Sequence, residues 1–177
     1  AQTIAGAMSH RSPPVVAMVP DVSVIIPMRN AERYVAQALA SVLLEKDVSL
    51  EVIVVDDGST DGSASVVNAL AEPRVMLLPG PGHGIAACFN TGLARARGQI
   101  IMRCDADDLY PPGRIGKQVA WLRAHPDYDA VCGKFATIDA KGRFVCELGK
   151  GEVSCDITEE LRGGVTRTHF CTFAVRA

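Results

Sequence analysis

Apolar positions first fall into a regular pattern at Asp21. Val22 to Ile26 is a short run rich in β-branched residues and closed by Pro27, the length and composition of a strand buried on both faces. The period then changes. Ala31, Tyr34, Val35, Ala38, Leu39, Val42 and Leu43 recur at three- and four-residue spacing, which predicts a helix with one apolar stripe. Asn30 is placed to cap it, and Glu32 suits its positive first turn. Leu50 to Val55 is a second apolar strand, ended by Asp-Asp-Gly-Ser-Thr-Asp-Gly-Ser. Ala64, Val66, Val67 and Leu70 then predict a second helix, capped by Thr60 or Asp61. Val75 to Leu78 is a third strand, and the glycine-rich stretch from Pro79 to Gly84 leads into a helix from about Ile85 to Arg97, stopped by Gly98. Gln99 to Cys104 is the fourth strand. Pro111 and Pro112 open a further helix with Ile115, Val119 and Leu122 on one face, ended at His125-Pro126.

Apolar strands alternating with helices predict an α/β fold, with a mainly parallel sheet covered by helices on both faces. Beyond Asp129 the pattern changes to short strand-like pieces, with a turn at Lys141-Gly142 and a short helix around Ile157 to Leu161. The expected organisation is a loose leader over 1–20, a core over 21–135, and over 136–177 the start of a second region whose completion is expected outside this sequence. No run approaches the roughly 18 apolar residues needed to span a bilayer. The leader has no basic stretch followed by an apolar one, so a secretory signal is not expected and the expected location is cytoplasmic.

Charges nearly cancel, with 18 Lys and Arg against 20 Asp and Glu. That balance argues against nucleic acid as a partner, and an acidic ligand must be held locally. The six cysteines contain no Cys-x-x-Cys pair, and most lie in apolar runs, so they are expected to be reduced and structural.

Candidate chemistry collects where strands end, which in open α/β sheets is where ligands bind. Those ends are Pro27-Met28-Arg29-Asn30, Asp56-Asp57-Gly58 and Asp105-Ala106-Asp107-Asp108. If the backbone there is extended, Asp105 and Asp107 point to one side, and like charges so placed invite a cation. Hard oxygen ligands beside a phosphate suit Mg2+ or Mn2+. Each acidic group also reads as ordinary turn and capping sequence, but two in one parallel sheet carry more weight than either alone.

Together these residues resemble the inverting family-2 glycosyltransferases of the GT-A type, over about 115 residues. VSVIIPMRNAERYVAQALASV is similar to the family's opening strand and helix, EVIVVDDGSTDGS to its nucleotide motif, and GIAACFNTGLARARGQIIMRCDADDLYPPGRI to the helix leading into its DxD strand. The resemblance implies a GT-A-type, Rossmann-like fold and metal-assisted transfer of a sugar, with inversion, from a UDP-sugar to a glycan or lipid-linked acceptor. It implies that Asp56 accepts the uracil N3–H and that Pro27 and Arg29 line the base pocket, with Asn30 beside them. It also implies that Asp105 lies against ribose and diphosphate and that the metal, Mn2+ or Mg2+, is held by Asp105 and Asp107. Asp57, Gly84 and Asn90 fall on family motif positions as further donor-binding candidates.

Three departures stand out. Arg29 replaces a frequent Tyr, so a guanidinium face would stack on the base. Cys88-Phe89-Asn90 lacks a basic residue the family has there, and His83 is the candidate substitute. The acceptor's base does not match Glu147, Glu152, Asp156, Glu159 or Glu160, and is expected beyond Ala177, leaving this stretch to bind donor without catalysing transfer; any peripheral membrane association is likewise expected from segments outside this sequence. His169 reads as an ordinary histidine, with a metal ligand as the sharper option. The main rival is a dinucleotide oxidoreductase using Gly82, Gly84 and Ala87, but that fingerprint belongs in the first strand-to-helix turn and leaves Asp56 and Asp57 unexplained. A nucleotidyltransferase would need a basic Gly-rich loop after the first strand, and an EF-hand is excluded by Leu109 and Gly116 at ligand positions.

Overall fold

Strands and helices alternate as the apolar pattern requires in the computed structural model, which describes residues 19–139, 141–148, 158–164 and 169–177. The order is β1 (Val22–Met28), α1 (Val35–Leu43), β2 (Leu50–Asp56), α2 (Ser63–Ala69), β3 (Val75–Pro79), α3 (Ile85–Leu93), β4 (Ile100–Arg103) and α4 (Arg114–Ala124). After it come β5 (Ala130–Cys132), β6 (Phe135–Ile138), β7 (Phe144–Leu148), α5 (Thr158–Arg162), a 3-10 turn at Phe170–Thr172 and β8 (Phe173–Arg176). Six strands form one sheet in the order β3-β2-β1-β4-β8-β5, and β6 and β7 pair as a separate hairpin. β1 to β4 are mutually parallel, and only β8 runs antiparallel to its neighbours. Residues 1–18 of the leader, Glu152, Cys155 and Asp156 lie outside the described residues.

Alternation along the strands divides the core in two. Val22, Val24, Ile26, Met28, Val52, Val54 and Met102 face α1, α2 and α4 through Leu39, Val42, Val67, Ile115, Val119 and Leu122. Ile53 and Val55 face α3 through Cys88. Each fully buried aliphatic side chain contributes roughly 1.5–3 kcal/mol, so the larger layer is the main source of stability. α3 seats closely because Gly92 lacks a side chain: a Cβ there would stand 2.5 Å from Ile25 Cγ2.

Of the boundaries that differ from the sequence reading, two do so for evident tertiary reasons. β1 does not close at Pro27 but continues to Met28. A proline would normally break the ladder of a central strand. Here the odd residues of β1 turn their backbone toward β4, with the Cys104 amide donating to the Ile25 carbonyl at 3.1 Å. Pairing with β4 ends at Ile25 and Arg103, so Pro27 falls just past the last rung. α3 stops at Leu93 rather than Arg97. The Arg97 amide is drawn out of the helix by Glu51 Oε1 at 2.8 Å, and the Gly98 amide by Ser23 Oγ at 2.8 Å.

Candidate functional site

The chain leaves β1 toward β2 and β3 on one side and returns from β3 to β4 on the other, which makes the carboxyl ends of β1 and β4 the switch point of the sheet. β2 and β4 flank β1 in parallel register, so the acidic ends Asp56-Asp57 and Asp105–Asp108 stand at the same end of the sheet on either side of Arg29 and Asn30.

The loops after β1 and β2 are latched to each other. Asn30 does not cap α1; it adopts φ 52°, and its Oδ1 accepts the Thr60 amide at 2.8 Å. Ser59 Oγ accepts the Asn30 amide at 2.9 Å, and Ser63 Oγ accepts the Ala31 amide at 2.8 Å. Glu32 likewise serves the other loop, accepting the Gly62 amide at 3.0 Å, while Asp61 accepts the Glu32 amide at 3.2 Å. Each helix start therefore draws its acceptors partly from its neighbour, a reciprocity invisible to local capping rules. Asp61 also accepts the Ser63 amide at 3.0 Å, close to its expected capping role.

Asp56 is half-buried at the tip of β2, where its Oδ1 accepts the Ser59 amide at 3.0 Å and the Ser59 hydroxyl at 2.5 Å. Its Oδ2 accepts no hydrogen bond among the described residues. Asp57 is buried, and both its oxygens are engaged: Oδ1 accepts the Gly82 amide and Oδ2 the Gly84 amide, each at 2.8 Å. A hydrogen bond from the Cys88 thiol, the two glycine amides and the charge of Arg29 hold the Asp57 carboxyl below its ordinary range, against the opposing effect of burial. Burial and the facing Asp57 push the Cys88 thiol up to about 12. Asp57 thus fastens the glycine-rich loop to β2. The amides that a dinucleotide loop would offer to a pyrophosphate are occupied, and the loop follows β3, not β1, both of which count against the oxidoreductase alternative.

The β4 exit departs from the extended geometry expected of it. β4 ends at Arg103, and the Asp108 amide donates to the Asp105 carbonyl at 3.0 Å, so Asp105 to Asp108 form a turn and β alternation does not align Asp105 with Asp107. Asp107 is exposed. Asp105 receives a two-pronged ion pair from Arg103, at 2.7 and 3.0 Å. The groups brought within 4.8 Å of one another, and able to hold a cation, are Asp105, Asp108 and Cys171. Burial and then the charges of Asp105 and Asp107 raise the Asp108 carboxyl above its ordinary value, a repulsion that a cation would relieve. The donor set fits a divalent metal.

Cys171 arrives from the 3-10 turn before β8 and was not singled out by the sequence, since nothing local ties it to the β4 exit. Arg114, stacked 3.8 Å over the Tyr110 ring, donates to the Cys171 carbonyl at 2.6 Å. Gln118 donates to the Thr172 carbonyl at 2.9 Å, and the Tyr110 hydroxyl to the Arg103 carbonyl at 2.8 Å. His169 packs edge-on against Phe135, with ring centroids 4.5 Å apart, and belongs to no such ligand group among the described residues. Arg29 is exposed at the end of β1, Gly84 precedes α3, and Asn90 is exposed in the second turn of that helix.

The profile of glycosyl transferase family 2 matches residues 23–168, a span that includes both acidic strand ends. This chain belongs to that family. Among its relatives, the putative glycosyltransferase EpsE of Bacillus subtilis (strain 168) is 38% identical over 116 residues, which are 63% of this chain and 42% of EpsE. The succinoglycan biosynthesis protein ExoO of Rhizobium meliloti (strain 1021) is 34% identical over 109 residues, 61% of this chain and 31% of ExoO. The chain thus matches less than half the length of these relatives. Among solved structures, the mannosyltransferase PcManGT of Pyrobaculum calidifontis, in complex with GDP-Man and Mn2+, superposes with a TM-score of 0.59 and 34% identity, over 67% of this chain and 37% of that one. S. aureus TarS 1-349 in complex with UDP-GlcNAc superposes with a TM-score of 0.60 and 26% identity, over 69% and 36%. The family-2 chain has their α/β architecture, with its mainly parallel sheet between helices. No helix among the described residues is long and apolar enough to cross a membrane.

Proposed function

We propose that this family-2 chain binds a UDP-sugar together with a divalent cation, Mn2+ or Mg2+, at the carboxyl ends of β1, β2 and β4. The observation that carries the reading is the placement of two acidic groups on either side of β1 at the switch point, on strands held in parallel register. Asp56 suits the base, because its Oδ2 has no partner among the described residues while Ser59 fixes its Oδ1. Arg29 and Pro27 border that position at the end of β1. The Asp105–Asp108 turn would hold the cation, with Asp105 and Asp107 at the family's metal positions. When bound, the metal would act as a Lewis acid, neutralising charge on the departing diphosphate. The chain's own contribution is to hold nucleotide and cation on rigid strand ends and to lock the intervening loops through Asn30, Glu32 and Asp57.

In the whole protein we assign transfer with inversion to a glycan or lipid-linked acceptor, on the cytoplasmic side. No carboxylate of this chain is assigned the acceptor's base, so the chain alone is expected to bind donor with little transfer. Calorimetry with UDP, with and without Mn2+, tests the reading. Binding strengthened by Mn2+ is expected, with metal dependence lost in Asp107→Ala and uridine recognition weakened in Asp56→Ala even without metal. Equal weak heats with and without Mn2+ would remove the cation, and preference for GDP over UDP would overturn the role of Asp56.

A further inference from the structure

Two chain segments far apart in sequence converge at the β4 exit, and the second brings sulfur to an oxygen site. The ligand atoms of Asp105, Asp108 and Cys171 lie within 4.8 Å of one another. This meeting is braced from the backbone. Arg114, at the start of α4, grips the Cys171 carbonyl at 2.6 Å, and Gln118, one turn on, grips the next carbonyl at 2.9 Å. The same helix follows directly from the Asp105–Asp108 turn, so the two halves of the cluster share one support. The Cys171 sulfur and an Asp108 carboxylate oxygen stand within 4.8 Å of each other. Arg103 pairs with both carboxylate oxygens of Asp105, at 2.7 and 3.0 Å, while Asp108 and Cys171 are each partly exposed.

We infer that Cys171 is a thiolate ligand of the cation held at the β4 exit, with Asp105 and Asp108, and that it biases the site toward thiophilic divalent ions and against Mg2+. The inference rests on the donor-site reading above and deepens it by specifying the metal class. On binding, the S–H bond breaks, the sulfur lone pair goes to the metal, and the proton leaves to solvent, so no oxidant or reductant is involved. Mg2+ takes hard oxygen ligands in strict octahedral geometry, whereas softer ions accept sulfur, and Mn2+ lies between. A thiol in this cluster thus selects in the order Cd2+ over Mn2+ over Mg2+.

The experiment uses Cd2+ as a spectroscopic probe of the 177-residue chain, with Cys132, Cys146 and Cys155 replaced by serine, so that Cys171 remains with the fully buried Cys88 and Cys104. A near-ultraviolet thiolate-to-cadmium charge-transfer band is expected, saturating at one ion per chain. Cys171→Ser should abolish the band and weaken Cd2+ affinity by roughly tenfold or more, since even outer-shell partners are worth about 10- to 100-fold. Asp108→Asn should weaken it without removing the sulfur signal at saturation. A band that survives Cys171→Ser, or no band in the parent, overturns the proposal. Calorimetry of Mn2+-dependent UDP binding on the same proteins separates the two levels. UDP binding that needs Mn2+ in a protein with no thiolate band leaves the donor reading standing and removes the sulfur ligand. A band without Mn2+-dependent UDP binding does the reverse. Because serine differs from cysteine by one atom, an unfolded Cys171→Ser chain would show in its melting curve, and Cys171→Ala then supplies the same comparison.

Discussion

Replacing Glu51 by Ala tests how the sheet holds β4 in place. Glu51 is 7% exposed at the start of β2, and its Oε1 accepts the Ser23 hydroxyl at 2.7 Å and the Arg97 amide at 2.8 Å. Its Oε2 accepts Arg97 Nε at 3.0 Å and Nη2 at 2.6 Å. The contributions separate by burial. Ser23 is fully buried, so its hydroxyl loses its acceptor at a cost of about 1–3 kcal/mol. The Arg97 amide retains Ser23 Oγ at 3.2 Å and loses less. The Arg97 side chain is 56% exposed, so solvent screens its ion pair and its part stays below about 1 kcal/mol. The sum is about 2–3 kcal/mol, which lowers the urea midpoint by roughly 1 M at a typical slope of about 1–3 kcal/mol per M. Burial alone would raise the Glu51 carboxyl, but the Ser23 and Arg97 hydrogen bonds outweigh it and the net displacement is downward. This stabilisation is therefore complete above the ordinary value of 4.5 and lost as pH falls through the lower folded value, so wild type and Glu51→Gln converge in acid. UDP binding should survive, because Glu51 and Asp56 are at opposite ends of β2. The reasoning fails if Arg97→Ala costs as much as Glu51→Ala, or if Glu51→Ala costs under about 0.5 kcal/mol against the cost derived above.

Gly84 has φ 84° and ψ −176°, a region open essentially to glycine alone, and an added Cβ would meet nothing within 4 Å. Gly84→Ala should therefore cost about 1–3 kcal/mol through backbone strain, read as a lowered Tm; unchanged stability with weakened UDP binding would instead make Gly84 a direct contact. Cys88, buried and pushed up to about 12, should resist iodoacetamide at neutral pH while the exposed Cys132 and Cys146 are modified. Mass spectrometry showing Cys88 labelled in the native protein would contradict its packing against Asp57.

The apolar period alone placed four strands and four helices, because strands buried on both faces and amphipathic helices leave patterns that need no knowledge of their partners. The nature of the strand ends was equally legible, since Asp56, Asp57 and Asp105 to Asp108 interrupt those runs abruptly. What the sequence withheld were the partners of polar groups. Asn30 and Glu32 have the composition of local caps, yet they serve the neighbouring loop. Asp57 falls on a donor-binding motif position, but its partners in the fold, the Gly82 and Gly84 amides, could not be read from the chain.

Tertiary structure decided the rest for one physical reason. Burial periodicity is a property of contiguous residues, whereas a hydrogen bond or ligand cluster depends on which distant segment arrives. Pro27 is tolerated in the central strand only because β4 has already diverged, and Asp105 gains Asp108 and Cys171 as neighbours only because the chain turns there and β8 returns beside β4. The sequence determined that acidic strand ends would exist, and the packing of α4 and β8 determined which side chains meet there.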